Sequence, residues 1–104
     1  MLATRLTDLF PRWVHPNMFA FLCPHCGDVF LTCKNIPMDH DTQYELFDRV
    51  FYTPYPGTIV VGCKESYSWV WQNAHDFEQI TVTPSLDASA SGHWHGFISA
   101  GAIA

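Results

Sequence analysis

The most informative stretch of the chain is residues 19–33, with the sequence FAFLCPHCGDVFLTC. Two apolar runs flank a Cys-x-x-Cys-Gly turn, so we expect two strands, Met18–Leu22 and Val29–Cys33. Two cysteines at this spacing can direct both thiolates at one metal ion, and Gly27 allows a positive φ after the second. The stretch therefore predicts a zinc knuckle with Cys23 and Cys26 as ligands.

A redox Cys-x-x-Cys is the alternative interpretation. That motif normally opens a helix beside a βαβ unit, whereas the residues after Gly27 are typical of a strand. The start of the chain carries Arg5 and Asp8 and lacks the apolar run of a signal peptide. We therefore expect a reducing, cytoplasmic setting, in which the four cysteines are metal ligands or buried thiols and not disulfides.

Two cysteines cannot close a tetrahedral site, and His93 and His95 are the best candidates to complete it. On a strand, residues two apart share one face, so both imidazoles can point the same way, with Trp94 and Ile98 on the other face. Cys33 and Cys63 are the rival donors, although a free cysteine more often packs in a core. Four protein ligands leave no open position, so the predicted zinc is structural.

The rest of the chain predicts one small, mostly β domain spanning residues 1–104, with a small antiparallel sheet stapled by the knuckle and one short helix. Only 14% of the residues are charged and 15% are aromatic, which argues against disorder. We expect an N-terminal arm at 1–17 and a variable insert at 34–56. Within the insert, Thr42 and Glu45 form a capping box for a helix over 42–51. Further strands are expected at Thr58–Cys63, Tyr67–Gln72, Gln79–Thr83 and Trp94–Ser99, with a turn at Pro84–Leu86.

Four motifs follow one another along the chain: Cys-Pro-x-Cys-Gly, the Trp-rich Ser68–Gln72, Thr-Pro-Ser-Leu ending at Leu86, and His-x-His-Gly-Phe-Ile ending at Ile98. In this order they resemble a family of small, uncharacterised bacterial and phage proteins, often mislabelled as ammonia monooxygenase. The similarity runs from about Phe19 to Ile103 and is looser between residues 34 and 56. It implies one metal site at Cys23, Cys26, His93 and His95 and a phage or mobile-element setting, but no activity. Where the family usually has an Asp-Gly turn, this chain has Ala100-Gly101.

The charge balance limits the possible partners. The formal net charge is −5 and only five Lys and Arg are present, so we expect no direct nucleic-acid binding. No stretch approaches the roughly 20 apolar residues that a membrane span needs, so we expect no membrane association. The leading hypothesis is a zinc-stabilised binding module that contacts a host or bacterial protein and could inhibit a host defence complex. One alternative is a metal-dependent hydrolase with an open zinc position and Asp76, Glu78 or Asp87 as general base. Another is a minor structural component of a virion.

The strand around Trp69 offers a second candidate surface. Tyr67, Trp69 and Trp71 alternate with smaller residues, so one face of the strand is wholly aromatic. Such a face can stack against a base or a peptide side chain. It can equally form part of the core, and a small domain needs its aromatic residues there. We favour the core interpretation.

Overall fold

The computed structural model describes residues 5–25, 27, 29–39, 41–43, 45–46, 68–87, 89 and 92–104, and the backbone alone at 57–59. Within these residues, eight strands form two four-stranded sheets. The first sheet contains, in spatial order, β1 (Arg12–His15), β2 (Met18–Leu22), β3 (Val29–Lys34) and β4 (Gly57–Ile59). The second contains, in spatial order, β5 (Val70–Gln72), β6 (Thr81–Asp87), β7 (His95–Ser99) and β8 (Ala102–Ile103).

The predicted mostly β class with a short helix is confirmed, with two sheets where one was expected. All neighbouring strands are antiparallel except β3 and β4, which run parallel. Strands β2, β3 and β7 lie where the sequence predicted them. The predicted strands at Thr58–Cys63 and Tyr67–Gln72 are each represented by a shorter segment, and their remaining residues lie partly outside the described part of the chain.

The β2–β3 hairpin is buried on both faces. Its register pairs Phe19 with Cys33 and Phe21 with Leu31, and these side chains join the main core with residues of the second sheet. On the opposite face, Ala20 and the neighbouring Phe30 form a second apolar cluster. Because both faces exclude water, the two strands are nearly continuous apolar runs.

The second sheet covers the core with one face only. Along β7, His95 and Phe97 are exposed while Gly96 and Ile98 are buried. On β6, Val82 and Leu86 contribute to the same core. This alternation is what a strand with one solvated face requires.

The segment expected to be an N-terminal arm is part of the sandwich. A 3-10 helix at Leu6–Leu9 buries Leu6 and Leu9 in the main core, and β1 follows directly. The Leu6 amide donates to the Gly101 carbonyl at 2.8 Å, which links this helix to the β7–β8 turn. Leu6 and Leu9 are three residues apart, so one turn of a 3-10 helix places both on the same side.

Two local expectations differ from the structure. Helical residues begin at 41, and the Thr42 amide donates to the Asp39 carboxylate at 3.2 Å, so Asp39 supplies the cap. The predicted end of this helix, 47–51, lies outside the described residues.

The expected turn at Pro84–Leu86 is wrong, because these residues belong to β6. Pro84 fits the strand because the pairing with β7 is irregular between Val82 and Leu86.

Candidate binding site at the Cys23 loop

The loop between β2 and β3 has a tight hydrogen-bonded backbone. The Cys23 amide donates to the Val29 carbonyl at 2.9 Å, and the Gly27 amide donates to the Cys23 carbonyl at 2.8 Å. Gly27 has φ +69°, which confirms the predicted left-handed position after the second cysteine. The two strands therefore hold the loop as a closed turn at one end of the sandwich.

A pocket of about 120 Å³ lies between this loop and the end of the 3-10 helix. Its floor consists of the apolar side chains of Leu9 and Cys23, which are almost completely buried. Its rim is exposed and carries an acidic, an aromatic and an imidazole side chain. The lining residues are Asp8, Leu9, Phe10, Leu22, Cys23, Pro24, His25 and Gly27.

Cys23 is 1% exposed and packs in the main core cluster, while His25 is exposed. Cys26 lies outside the described residues. Sequence reasoning missed Asp8, Leu9 and Phe10, because only the tertiary fold brings the 3-10 helix to the loop. No pattern in the sequence signals that contact.

Strand β7, which begins at the predicted ligand His95, starts at the same end of the sandwich. The Phe21 ring contacts the Trp94 ring edge-on, with centroids 6.0 Å apart. Phe21 is near the end of β2 and Trp94 precedes β7, so the Cys23 loop and the segment before His95 are neighbours. Trp94 and Ile98 pack against the core, as predicted.

His95 itself faces solvent on the outer face of the second sheet. Its Nε2 lies 3.3 Å from Ser85 Oγ on the adjacent strand. His93 is half-buried. Within the described part of the chain, no three His, Cys, Asp or Glu side chains lie close enough together to hold a metal ion.

The fit to a zinc ion is therefore partial. The turn geometry and the buried Cys23 thiol suit a zinc knuckle, whereas the His95 side chain is turned towards Ser85 and away from the core. Cys26 is not among the described residues, so the set of Cys23, Cys26, His93 and His95 stays a prediction.

Cys33, one of the rival donors, is a core residue. It is fully buried, and the Trp71 indole Nε1 donates a hydrogen bond to its Sγ at 3.3 Å. Burial raises the pKa of the Cys33 thiol far above its usual range, outweighing the opposing effect of the Trp71 hydrogen bond. The packing interpretation of Cys33 is thus supported, while Cys63 lies outside the described residues.

Asp87 is the residue among the three candidate bases that lies beside a predicted ligand. It pairs with His95 across β6 and β7. Its carboxylate accepts hydrogen bonds from the Ser89 hydroxyl at 2.5 Å and the Ser89 amide at 2.9 Å. These bonds, with a smaller contribution from His95, lower the pKa of Asp87. The carboxylate is therefore held in its ionised form, which makes it a weaker base.

The aromatic strand is part of the core, as favoured from the sequence. Trp69 is 2% exposed and its Nε1 donates to the Ser85 carbonyl at 3.3 Å, while Trp71 is half-buried against the core. Tyr67 lies outside the described residues. No pattern in the sequence indicated the role of the partly exposed Trp13, which stacks on Phe77 with centroids 4.9 Å apart.

Comparison with protein-family models, curated proteins and solved structures found no match. The family resemblance set out above stays a prediction. None of the helical segments among the described residues has the length and apolar character of a membrane-spanning helix.

Proposed function

We propose that the protein is a small zinc-stabilised binding module that acts by contact with another protein and not by catalysis. The observation that supports this most directly is the pocket at the Cys23 loop, with Phe10 64% exposed on its rim. Exposed aromatic side chains beside a buried apolar floor are typical of the anchor points of protein interfaces.

Exposed apolar side chains elsewhere support a binding role. Phe97 and Val70 are 53% and 63% exposed on the outer face of the second sheet. A single exposed apolar side chain needs no explanation, whereas exposed apolar side chains that share one face can contribute to a contact surface. The pocket remains the better candidate, because it combines a concave shape with polar groups at its rim.

The proposed partner is a host or bacterial protein with a basic surface. The net charge of −5 attracts such a surface over long range and speeds encounter. The nucleic-acid-binding component of a host defence complex has this character, and the family resemblance favours that bacterial or phage setting in the cytoplasm.

The proposed zinc is structural. Cys23 and Cys26 would hold it in the hairpin loop, and His93 and His95 would complete a closed site that staples the loop to the start of β7. His95 would have to give up its contact with Ser85. Metal binding of this kind can supply on the order of 10 kcal/mol of coupled folding energy to a small domain.

Affinity capture with a matched variant tests the binding function. Tagged wild-type protein and Phe10→Ala are incubated with bacterial lysate, and the captured proteins are quantified by mass spectrometry. We expect one partner that is enriched on the wild type, depleted on Phe10→Ala and retained on Ile36→Ala, a control in which another exposed apolar side chain is removed. Equal recovery on all three proteins, or no enriched partner, would contradict the proposal.

Metal content tests the zinc. Cys23→Ser and Cys26→Ser should each lose the metal, whereas Cys33→Ser should keep it, because Cys33 is committed to the core. Loss of zinc from Cys33→Ser with an intact fold, judged by near-UV circular dichroism, would contradict the ligand set.

A further inference from the structure

The pocket at the Cys23 loop has two chemically different zones. Its buried floor is made by Leu9 and Cys23, and half-buried Leu22 and Pro24 extend the apolar surface upwards. At the rim, the exposed Asp8 adds a negative charge. A ligand matched to both zones has an apolar stem and a cationic head.

The Asp8 carboxylate is available to such a head. Among the described residues, none donates a hydrogen bond or forms an ion pair to this side chain. Arg5, a cation close to it in the chain, is engaged elsewhere: its Nη2 donates to the carbonyls of Glu78 at 2.7 Å and Ala100 at 3.3 Å. Asp8 is therefore a charged group at a pocket rim that Arg5 does not neutralise.

Phe10 is held at this rim by an unfavourable backbone conformation. It lies in the left-handed region with φ 51° and ψ 52°, which a bulky side chain normally avoids because of its cost in free energy. Its ring is nevertheless 64% exposed, so little burial offsets that cost. Strained residues of this kind concentrate at binding sites.

We propose that this pocket receives an arginine side chain of the partner protein. The methylene stem would pack on Leu22 and Pro24, and the guanidinium would pair with Asp8 and stack on the Phe10 ring. Arginine fits better than lysine, because its flat, weakly hydrated head stacks on aromatic rings and pairs with carboxylates through two hydrogen bonds. The inference rests on the proposed binding function, for which it names the chemistry of the contact.

The test titrates the ¹⁵N-labelled full-length protein with N-acetyl-arginine methylamide and follows the amide resonances. The matched control probe is N-acetyl-citrulline methylamide, which has nearly the same shape and no charge. We expect arginine-specific shifts at Leu9, Phe10, His25 and Gly27, and none of comparable size with citrulline. Asp8→Asn should weaken arginine binding about tenfold, the usual effect of losing a charge-assisted hydrogen bond. Glu78→Gln, which removes an exposed acid outside the pocket, should leave it unchanged.

Phe10→Leu supplies a second variant, because it keeps an apolar side chain and removes the aromatic face. We expect arginine binding to weaken several-fold while the remaining amide spectrum is preserved. Equal shifts with arginine and citrulline, shifts that map away from the pocket, or an unchanged affinity of Asp8→Asn would each overturn the inference.

Failure of the arginine inference can be distinguished from failure of the proposed binding function. If the captured partner depends on Phe10 but free arginine does not bind, the binding function stands and the arginine pocket is wrong. If arginine binds at the pocket but no partner is captured, the pocket stands and the proposed function is wrong.

Discussion

The β2–β3 hairpin and the β6–β7 pair are both antiparallel, yet they bury their side chains differently. The hairpin is enclosed on both faces, whereas β6 and β7 present one face to solvent, with His95, Phe97 and Asp87 exposed on it. A hairpin packed on both sides holds the loop at its tip in a fixed position. The outer face of β6–β7 is free to vary without cost to the core, so the Cys23 loop is the better place for a defined site.

The first prediction compares the loss of stability that a Phe→Ala substitution causes in each of the two regions. Phe19 is fully buried and its ring contacts four other aromatic rings, those of Trp13, Phe21, Trp71 and Phe77. Phe19→Ala should lower the free energy of unfolding by about 3–5 kcal/mol, because it leaves a cavity in the core. Phe97→Ala should change it by about 0.5 kcal/mol or less. Urea denaturation measures both, and similar losses would contradict the one-sided burial of β7.

The inward row of β7 offers a second comparison. A side chain at Gly96 would overlap the Ala104 carbonyl and the Trp94 ring, so Gly96→Ala should cost about 1–3 kcal/mol. At Gly92, in the preceding segment, an added methyl group meets no atom of the described residues within 4 Å. Gly92→Ala should therefore cost only the strain of φ +76°, about 1 kcal/mol. Thermal unfolding shows which of the two variants is less stable. A larger loss of stability in Gly92→Ala than in Gly96→Ala would contradict the described packing around Gly96.

A substitution in the β7–β8 turn should make the protein more stable. Ala100 and Gly101 form a two-residue loop and both have positive φ, 47° and 77°. This conformation favours Asn or Asp followed by Gly. Ala100→Asn should therefore stabilise the protein by up to about 1 kcal/mol, seen as a higher midpoint in thermal unfolding. A lower midpoint would show that the turn has a different backbone.

The smallest expected effect concerns Asp87 on the exposed face. Ser89→Ala removes the largest cause of its lowered pKa, so the pKa should rise towards the ordinary value for Asp. Because the folded-state pKa lies below the unfolded one, this carboxylate stabilises the fold above the unfolded pKa and loses that effect as the pH falls through the folded pKa. Carboxyl ¹³C resonances of Asp87 measure the shift, with Ser99→Ala as a control. An unchanged pKa in Ser89→Ala would contradict the hydrogen-bond assignment.

Much of the first sheet could be predicted because local and tertiary signals agree there. Apolar runs flank a turn that needs Gly27, and both strands formed where those runs lie. Strand β1 was not predicted from the sequence, because it is a short edge strand that lies between Pro11 and Pro16. The parallel pairing of β3 with β4 depends on long-range contacts that leave no local pattern.

The candidate site likewise combines residues that local sequence predicts with residues that only the fold brings together. Cys23 was predicted from spacing, while Asp8 and Phe10 reach the pocket only through the fold. His95 was predicted to share a site with Cys23, and its contact with Ser85 comes from strand register, which a single sequence does not specify.

X-ray absorption spectroscopy at the zinc edge, on protein purified without added metal, shows whether the chain holds a structural zinc and which atoms bind it. We expect one zinc per chain with two sulfur ligands near 2.3 Å and two nitrogen ligands near 2.0–2.1 Å. Four sulfur ligands would place Cys33 and Cys63 in the site instead of His93 and His95, because the chain has four cysteines in all. Protein that folds fully without any metal would contradict the zinc-stabilised module itself.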